Sequence, residues 1–361
     1  MKTENYQLNT PHFAPLYRFR GKEYYSLLEI IKGKGYLKIN RNALKIIDHS
    51  DFLFCPPRTL IDSEIKRVGF SWKFDKIIRH QDVFVSSITK AMIDDMKKIE
   101  DDYTDHTILA LVGGKDSLNM LLLPWKNPLI IASAAPNYLL VKKFLSDNNL
   151  NYDIIQLDDE RNLNVEKEIM INCCRLNLEH CRWTGHLSEI VSNMNNKVVI
   201  LIGQWGDNLL TDKWKRNLYP PPDFHIQGRY NKLLNRISVF SNKLERVYSS
   251  NQNIQSFFFR NLWYESAHWQ GVHMSFLYEY LNCPVLSMYH NDNVMNVICQ
   301  TDYFKVVTTD LRPTIGDKIF GRKVIYPEKN PSPPVSRIRK DISGSKIFLD
   351  LIQHNNISVK F

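Results

Sequence analysis

Residues 107–117, TILALVGGKDS, decide the fold of this chain. Their first six residues form a continuous apolar run, which is typical of a strand that is buried on both faces of a sheet. Gly113 and Gly114 end this run, and the leucine-rich pattern after them predicts a helix over about residues 117–123. A buried strand, a glycine turn and a helix in this order predict the first unit of an α/β domain.

The same alternation of strand and helix repeats further along the chain. Helical patterns cover residues 137–148 and about 163–194, the second broken near Thr184, and apolar runs predict strands over residues 129–133, 152–157 and 197–202. Strands that alternate with helices predict a parallel sheet with helices on both faces. Because ligands bind at the carboxyl ends of such strands, the turns after Val112 and Ile202 should lie on the same edge.

The flanking regions have other patterns. Residues 1–105 predict a small α+β region with one long helix over about residues 83–100. Residues 225–310 are rich in aromatic residues and mostly helical in pattern. The prolines of residues 311–340 favour an irregular ordered loop or a flexible tail, and residues 341–361 form a C-terminal tail.

Composition gives only broad limits on function. The 361 residues are 43% hydrophobic and 24% charged, as in an ordinary soluble protein, and carry a formal net charge of +9. That charge favours acidic partners, although the basic residues are mostly dispersed. The six cysteines form no CxxC pair, which argues against a zinc ribbon and for reduced core thiols. No apolar run approaches the roughly 18 residues of a membrane span, and residues 1–13 do not resemble a secretory signal, so we expect a cytoplasmic protein.

The glycine turn carries the chemistry. Two glycines let bare backbone approach a ligand, Lys115 adds a positive charge and Ser117 adds a hydroxyl. Together with the N–H groups of the following helix, these residues predict an anion site suited to pyrophosphate. Asp116 fits such a site when Mg²⁺ lies between its carboxylate and the phosphates. A tight strand-to-helix turn without a ligand is the structural alternative.

The chain here resembles the PP-loop ATP pyrophosphatases, whose signature is SGGxDS, and among them the synthetase domain of the asparagine synthetase family. Residues 111–117 match the loop, with Val112 where the family has serine. Residues 198–210 resemble the family's strand followed by SGEGxDE, and residues 283–286 and 322–327 loosely resemble its VPFLD and RxKxGFxxP segments. The resemblance implies an adenine nucleotide alpha-hydrolase-like fold and an ATP-binding synthetase domain over residues 106–340.

The resemblance also implies roles for particular residues. Asp116 and Asp207 would hold Mg²⁺ and pyrophosphate, and residues 131–133 would border the adenine. A lysine of the late segment would neutralise charge in the transition state, and Lys323 is the first candidate. The implied nucleotide site comprises Leu111, Val112, Gly113, Gly114, Lys115, Asp116, Ser117, Ser133 and Gly203, and the alternatives to Lys323 are Lys318 and Lys329.

Some residues depart from the family pattern. Gln204 and Asn208 stand where SGEGxDE has its two glutamates, and a glutamine cannot act as a general base. This change argues against asparagine as the product. Gln204 stays a catalytic candidate, and Glu265 is a candidate replacement acid/base. The family's N-terminal glutaminase has its cysteine after the initiator methionine, where this chain has Lys2. Free ammonia, a separate glutaminase or a substrate amine would therefore supply the nitrogen.

The leading hypothesis is an ATP-dependent amide-forming ligase that adenylates a substrate carboxylate, for example in surface-polysaccharide or natural-product biosynthesis. A PP-loop enzyme that modifies tRNA is the first alternative, because the chain is basic. It lacks the CxxC pairs of sulfur transfer, however, and residues 203–208 match the synthetase branch better. The second alternative is a degenerate, non-catalytic nucleotide-binding protein, and the retention of both Asp116 and Asp207 argues against it.

Overall fold

The computed structural model of the protein describes residues 17–24, 27–38, 64, 66–67, 75–158, 183–212, 281, 283–327, 353 and 356–360. Numbered along these residues, the strands are β1 (Tyr17–Phe19), β2 (Lys22–Tyr24), β3 (Tyr36–Lys38), β4 (Lys66–Arg67), β5 (His106–Leu111), β6 (Leu129–Ala134), β7 (Asp153–Leu157), β8 (Lys197–Ile202), β9 (Val285–Ser287) and β10 (Ser358–Lys360). The α-helices are α1 (Leu27–Lys34), α2 (Gln81–Asp102), α3 (Lys115–Leu118), α4 (Asn137–Asp147), α5 (Thr184–Asn193), α6 (Gly206–Leu209), α7 (Asp292–Gln300), α8 (Tyr303–Val306) and α9 (Arg312–Phe320). Single 3₁₀ turns cover Asn119–Leu122 and Met288–His290.

A five-stranded parallel sheet forms the centre of the described fold. Its strand order is β7-β6-β5-β8-β9, and every neighbouring pair is parallel. The chain moves outward from β5 in one direction as far as β7, and then returns to the other side of β5 with β8 and β9. The predicted α/β class with a parallel sheet is confirmed.

Helices cover both faces of this sheet, because alternate residues of its strands belong to separate cores. Ile108 and Ala110 of β5 pack into a large core with residues of α2, α4, α7 and α9. Leu109, between them, packs into a smaller core with Leu187 of α5. All three side chains are fully buried. This alternation is the pleat of a strand that is covered twice, which explains its continuous apolar sequence.

The long helix α2 lies against α7 and α9 on the larger core. It covers the predicted helix over residues 83–100 and extends it by two residues at each end. The buried Asp95 carboxylate accepts hydrogen bonds from the Asn293 side chain and the Val294 backbone, at 2.8 and 3.1 Å, at the start of α7. These bonds attach the N-terminal turn of α7 to the middle of α2.

Two parts of the C-terminal third differ from expectation. The prediction of an irregular loop or tail is wrong for α9, because Pro313 lies in its first turn, where no backbone N–H is needed. Gly321 ends α9 with a φ of +70°, the left-handed conformation that favours glycine. The strand β9 was not predicted, since an apolar stretch of three residues has no distinguishable period.

Small sheets lie outside the central one. The antiparallel order β2-β1-β4 joins short strands of the N-terminal region, and β10 pairs in parallel with β3. The segment expected as a C-terminal tail therefore contributes a strand to the N-terminal region. The parts of the predicted helical patterns that cover residues 163–182 and 225–280 lie outside the described residues.

No helix in the described ranges has the length and apolar character that crossing a membrane requires. Two cysteines, Cys283 and Cys299, lie within these ranges, and both are free thiols. Burial raises the pKa of each thiol to about 12. Both are therefore protonated, unreactive side chains at neutral pH, as expected for reduced core residues.

Candidate functional site

The candidate site lies where the direction of strand order reverses. β5 and β8 are adjacent and parallel, from His106 opposite Lys197 to Leu111 opposite Ile202, and their carboxyl ends meet at one edge of the sheet. The connections that follow run to opposite sides of the β5–β8 pair, and this is where open α/β sheets usually form a ligand-binding crevice. The prediction that both polar turns share one edge is confirmed.

The loop after β5 is closed by its own serine. The Ser117 Oγ accepts hydrogen bonds from the Gly113 and Gly114 N–H groups, at 3.1 and 3.3 Å, and donates one to the Gly114 carbonyl at 2.9 Å. Val112 continues the strand pairing by donating its N–H to Ala132 at 3.0 Å. In this structure, therefore, the Ser117 hydroxyl organises the loop that was predicted to face a phosphate.

The turn after β8 packs directly onto this loop. A Cβ built on Gly203 would lie 2.5 Å from the Cα of Ser117 and 2.8 Å from its backbone nitrogen. No side chain fits at such distances, so only glycine lets the two loops touch. Gly113, Gly114, Ser117 and Gly203 are thereby brought together at one edge of the sheet.

The remainder of the second turn has an unusual backbone. Trp205 is buried and has a φ of +81°, a left-handed conformation that is rare for a bulky residue. The Trp205 carbonyl accepts hydrogen bonds from the Asn208 and Leu209 N–H groups. These are the first hydrogen bonds of the short helix α6. A Cβ built on the next residue, Gly206, would lie 2.7 Å from the Tyr289 ring and 3.2 Å from the Cβ of Asp116. Asp116 therefore adjoins the residue that precedes Asp207.

The Asp116 carboxylate is paired with an arginine from a distant part of the chain. Arg312, the first residue of α9, donates from Nη1 to Asp116 Oδ1. Its Nε and Nη2 donate to the two carboxylate oxygens of Asp310, at 2.8 and 2.6 Å. The side chain of Arg312 is 13% exposed, against 31% for Asp116 and 38% for Asp310, so the guanidinium lies below the two carboxylates.

These contacts determine the charge states of the cluster. Burial opposes the charge of Arg312, but the hydrogen bond to Asp310 and the charges of Asp116 and Asp310 raise the pKa of Arg312 above its ordinary value. Burial would likewise raise the pKa of Asp310, yet its bonds to Arg312, together with the charges of Arg312 and Lys115, hold it below the ordinary value. Asp310 and Arg312 are therefore both charged at neutral pH.

Two buried tyrosines donate hydrogen bonds to backbone carbonyls in the segments that follow β5 and β8. Tyr289 donates its hydroxyl to the carbonyl of Asp116 at 2.8 Å, and Tyr303 donates to the carbonyl of Asn208 at 2.6 Å. Burial, followed by the charge of Asp116, raises the pKa of Tyr289 well above its ordinary value, and burial with the charge of Asp212 raises that of Tyr303. Both hydroxyls therefore stay protonated and serve as fixed donors.

The end of β6 presents buried polar atoms at the same edge. Ser133 is 2% exposed, and its Oγ has no hydrogen-bond partner among the described residues. The Oδ1 of Asn137, at the start of α4, is also buried and without a partner there. A Cβ built on Gly113 would lie 3.6 Å from the Asn137 amide nitrogen, so this asparagine adjoins the glycine loop. Unsatisfied polar atoms at this position suit a polar ligand.

The carboxylates of the two loops make a sparse donor set for a metal. No group of three or more His, Cys, Asp or Glu side chains that could hold a metal ion occurs within the described part of the chain. Asp116 and Asp207 each lie in the first turn of a short helix after β5 or β8, and the Asp207 side chain is half-buried. Mg²⁺ needs few protein ligands, since it keeps water and takes phosphate oxygens. The two aspartates therefore fit Mg²⁺ bound together with phosphates better than a metal held by protein alone.

The lysine candidates are less closely tied to the loops. Lys323 is exposed in the segment after α9. Lys318 donates to the Ser86 hydroxyl of α2 at 2.9 Å, inside an open groove of about 970 Å³ between α2 and α9. The groove is lined by His80, Gln81, Asp82, Val85, Ser86, Thr314, Asp317, Lys318, Gly321 and Arg322. Lys329 and Glu265 lie outside the described residues, so their roles stay predictions.

Sequence reasoning missed Arg312, Asp310 and Tyr289. The contact between Arg312 and Asp116 joins residues 196 positions apart, which no local pattern reveals. One local signal was present, because Arg312 directly precedes a proline and a proline in the first turn marks a helix start. A helix that begins at the crevice places its first side chain there.

No protein-family model and no curated protein matches this chain.

Proposed function

We propose that this protein binds ATP at the crevice between β5 and β8 and activates a substrate carboxylate for amide-bond formation. One observation carries the proposal. The close approach of Gly203 to Ser117 holds the β5 loop against the β8 turn, so that Asp116 and Asp207 come from adjoining loops at one crevice. Two phosphate-handling loops with one aspartate each are what the resemblance to PP-loop synthetases leads us to expect.

The backbone of the second turn supports the same resemblance. The motif SGEGxDE, aligned with its first glutamate at Gln204, has its second glycine at position 205. Trp205 has a φ of +81° there, a conformation that favours glycine. A left-handed residue at the position where the motif has glycine is compatible with the motif's turn and supports the resemblance.

ATP would supply the leaving group: a carboxylate oxygen attacks the α-phosphorus, pyrophosphate leaves, and ammonia or an amine then displaces AMP to form the amide. Asp116 and Asp207 would hold Mg²⁺, which would balance the negative charge of the phosphates. Ser133 and Asn137 offer polar atoms that have no partner among the described residues, at the β6 edge where the nucleoside would lie. Lys115 contributes positive charge next to the loop. Catalysis by this chain would rest on alignment and charge stabilisation.

Gln204 lies in the turn after β8 and contributes to that turn through its backbone. Its carbonyl accepts a hydrogen bond from the Ser287 hydroxyl of β9 at 3.1 Å. Because its amide cannot remove a proton, the attacking amine must arrive neutral or lose its proton to another group. We propose that Gln204 orients the acyl group or the amine by hydrogen bonding, while Glu265 remains the candidate acid/base.

The proposal is tested by following pyrophosphate and AMP from ATP and Mg²⁺ with pools of carboxylates, with and without ammonia or amines. We expect release that depends on a carboxylate. Asp116→Ala should abolish it, while Asp94→Ala, an exposed change on α2, should leave it unchanged. Release that depends on tRNA instead would favour the tRNA-modifying alternative. Nucleotide binding without AMP formation under any condition would leave a non-catalytic nucleotide-binding protein.

A further inference from the structure

Arg312 links the first turn of α9 to the β5 loop through two carboxylates. Two of its nitrogens are engaged by the Asp310 carboxylate, which fixes the plane of the guanidinium, and Nη1 extends to Asp116 in the β5 loop. A guanidinium held by one carboxylate keeps its remaining N–H groups in a fixed direction. That direction is toward Asp116, next to the glycine loop.

The backbone of Arg312 is held as firmly as its side chain. Its carbonyl accepts a hydrogen bond from the Asn119 amide at 3.0 Å. Its N–H donates to Asp310 Oδ1 at 3.1 Å. Asn119 lies two residues after Ser117. The first turn of α9 is therefore attached to the segment that directly follows the glycine loop. Such anchoring is what a preorganised cation needs.

We propose that Arg312 is a pyrophosphate-binding residue, whose Nη1 exchanges the Asp116 carboxylate for a pyrophosphate oxygen when the site is occupied. The reason is that each charged group of this cluster needs a partner of opposite charge. If Asp116 is to hold a divalent cation, it must give up its pair with Arg312. The guanidinium then needs another anionic acceptor, and a phosphate oxygen that arrives with the cation provides it. The inference rests on the proposed function, because pyrophosphate is the group that such a reaction releases.

Arg312 would thus bring to pyrophosphate the kind of positive charge that a lysine of the late segment is expected to bring to the transition state. Lys318 is bonded to Ser86 in the groove beside α2, and Lys323 is exposed beyond α9. Arg312 is the basic side chain with an ion pair to the β5 loop among the described contacts. Lys115 lies close enough to lower the pKa of Asp310 and would act on the same anion from within the loop.

The test uses the full chain and inorganic pyrophosphate with Mg²⁺ in titration calorimetry, with AMP as the second ligand. Arg312→Gln should weaken pyrophosphate binding about 10- to 100-fold, the range of one charge-assisted hydrogen bond, and leave AMP binding within about twofold. Arg312→Lys, which keeps the charge but loses the planar fork, should fall between the two proteins. Equal pyrophosphate affinity of wild type and Arg312→Gln, or equal losses for both ligands, would overturn the proposal.

A double-mutant cycle tests the exchange between Asp116 and pyrophosphate in the absence of metal. Asp116→Asn should tighten pyrophosphate binding in the presence of EDTA, because the guanidinium no longer has a competing carboxylate. This gain should vanish in the double variant with Arg312→Gln, and a gain that persists there would contradict the exchange. If Arg312→Gln gives no cooperative melting transition, Arg312→Lys replaces it in the cycle, and the gain should then shrink several-fold.

The two proposals fail in different ways. A wild-type protein that releases no pyrophosphate from ATP, but binds pyrophosphate through Arg312, contradicts the proposed function and supports the role of Arg312. A wild-type protein that releases pyrophosphate, with an Arg312→Gln variant that matches it in rate and in pyrophosphate affinity, contradicts the role of Arg312 alone. Failure of the wild type to bind pyrophosphate at all also overturns that role.

Discussion

Gly203 touches the backbone of Ser117, and this contact is what joins the two loops of the candidate site. A Cβ on Gly203 would lie 2.5 Å from the Ser117 Cα and 2.6 Å from its Cβ. Backbone atoms cannot move aside as the end of a flexible side chain can. The spacing of the loops therefore depends on a hydrogen atom at position 203.

Gly203→Ala should accordingly separate the two loops. We expect a loss of about 1–3 kcal/mol in the free energy of unfolding, the usual range for overpacking a buried position, and a larger loss of nucleotide binding. Denaturant unfolding and a nucleotide titration measure the two effects. Gly33→Ala is the matched control, because Gly33 lies in α1 with nothing within 4 Å of its would-be Cβ. That change should be neutral or stabilising, since alanine favours helix. Equal effects of the two substitutions would contradict the close approach.

The buried tyrosines provide a second prediction. Tyr289→Phe and Tyr303→Phe each remove the hydroxyl that satisfies a carbonyl of one loop, while the ring packing stays. Each should cost about 1–3 kcal/mol of unfolding free energy, because a buried acceptor loses its donor. Tyr138→Phe on α4, a half-buried side chain, is the control and should change little. Thermal and denaturant unfolding of the three variants decides the matter, and a Tyr289→Phe protein as stable as wild type would show that the hydroxyl is not needed.

Local sequence predicted most of the central sheet. The strands β5, β6, β7 and β8 agree with the predicted bounds to within one residue at either end, because each is an apolar run long enough to be recognised. The position of the two glycine turns at one edge followed from the parallel arrangement. The strand β9 is too short to show a pattern, and α9 differs from the predicted loop because Pro313 lies in its first turn, where proline is tolerated.

The chemistry of the site was less predictable for a different reason. Its glycines, serine and aspartates are local to two turns and could be recognised there. Arg312 and Asp310 enter from a segment almost 200 positions later, as the contact with Asp116 shows. Tyr289 likewise reaches Asp116 across 173 positions. Tertiary packing alone determines such contacts, so residue type and spacing could not assign them.

The glycine of α9 gives a prediction that uses two linked substitutions. A Cβ on Gly316 would lie 1.7 Å from the Tyr326 hydroxyl oxygen, which itself donates to the Asn119 side chain. Gly316→Ala should therefore expel this hydroxyl and loosen α9 from the segment after the glycine loop, at a cost of about 1–3 kcal/mol. With Tyr326→Phe already present, the oxygen is absent and the ring carbon is the nearest obstacle, at 2.9 Å.

The two positions should then be coupled in a double-mutant cycle. Gly316→Ala should cost less in the Tyr326→Phe background than in wild type, because the closest contact has been removed. Unfolding free energies of the two single variants and the double variant measure the coupling. Strictly additive costs would indicate that Tyr326 does not lie against Gly316.

Asp95 predicts a specific pH dependence of stability. It is 2% exposed, and burial raises its pKa to about 6. The hydrogen bonds from Val294 and Asn293 lower this pKa, and the like charge of Asp292 raises it. The folded-state pKa thus lies above the unfolded value of about 3.9. The folded state therefore binds the proton more tightly than the unfolded state. As the pH falls from about 7 to about 4, the cost of burying the Asp95 charge falls, and the free energy of unfolding rises.

Asp95→Asn isolates this contribution, because asparagine resembles the protonated acid in shape and does not titrate. The stability of wild type relative to Asp95→Asn should rise as the pH falls from about 7 to about 4, by up to about 3 kcal/mol for a shift of this size. Urea unfolding of both proteins across this range measures the difference. Asp94→Asn, an exposed neighbour that faces Lys97 at 4.0 Å, controls for the loss of one charge on α2. Parallel stability profiles for wild type and Asp95→Asn would mean that Asp95 titrates alike in the folded and unfolded states, and that its burial between α2 and α7 does not oppose its charge.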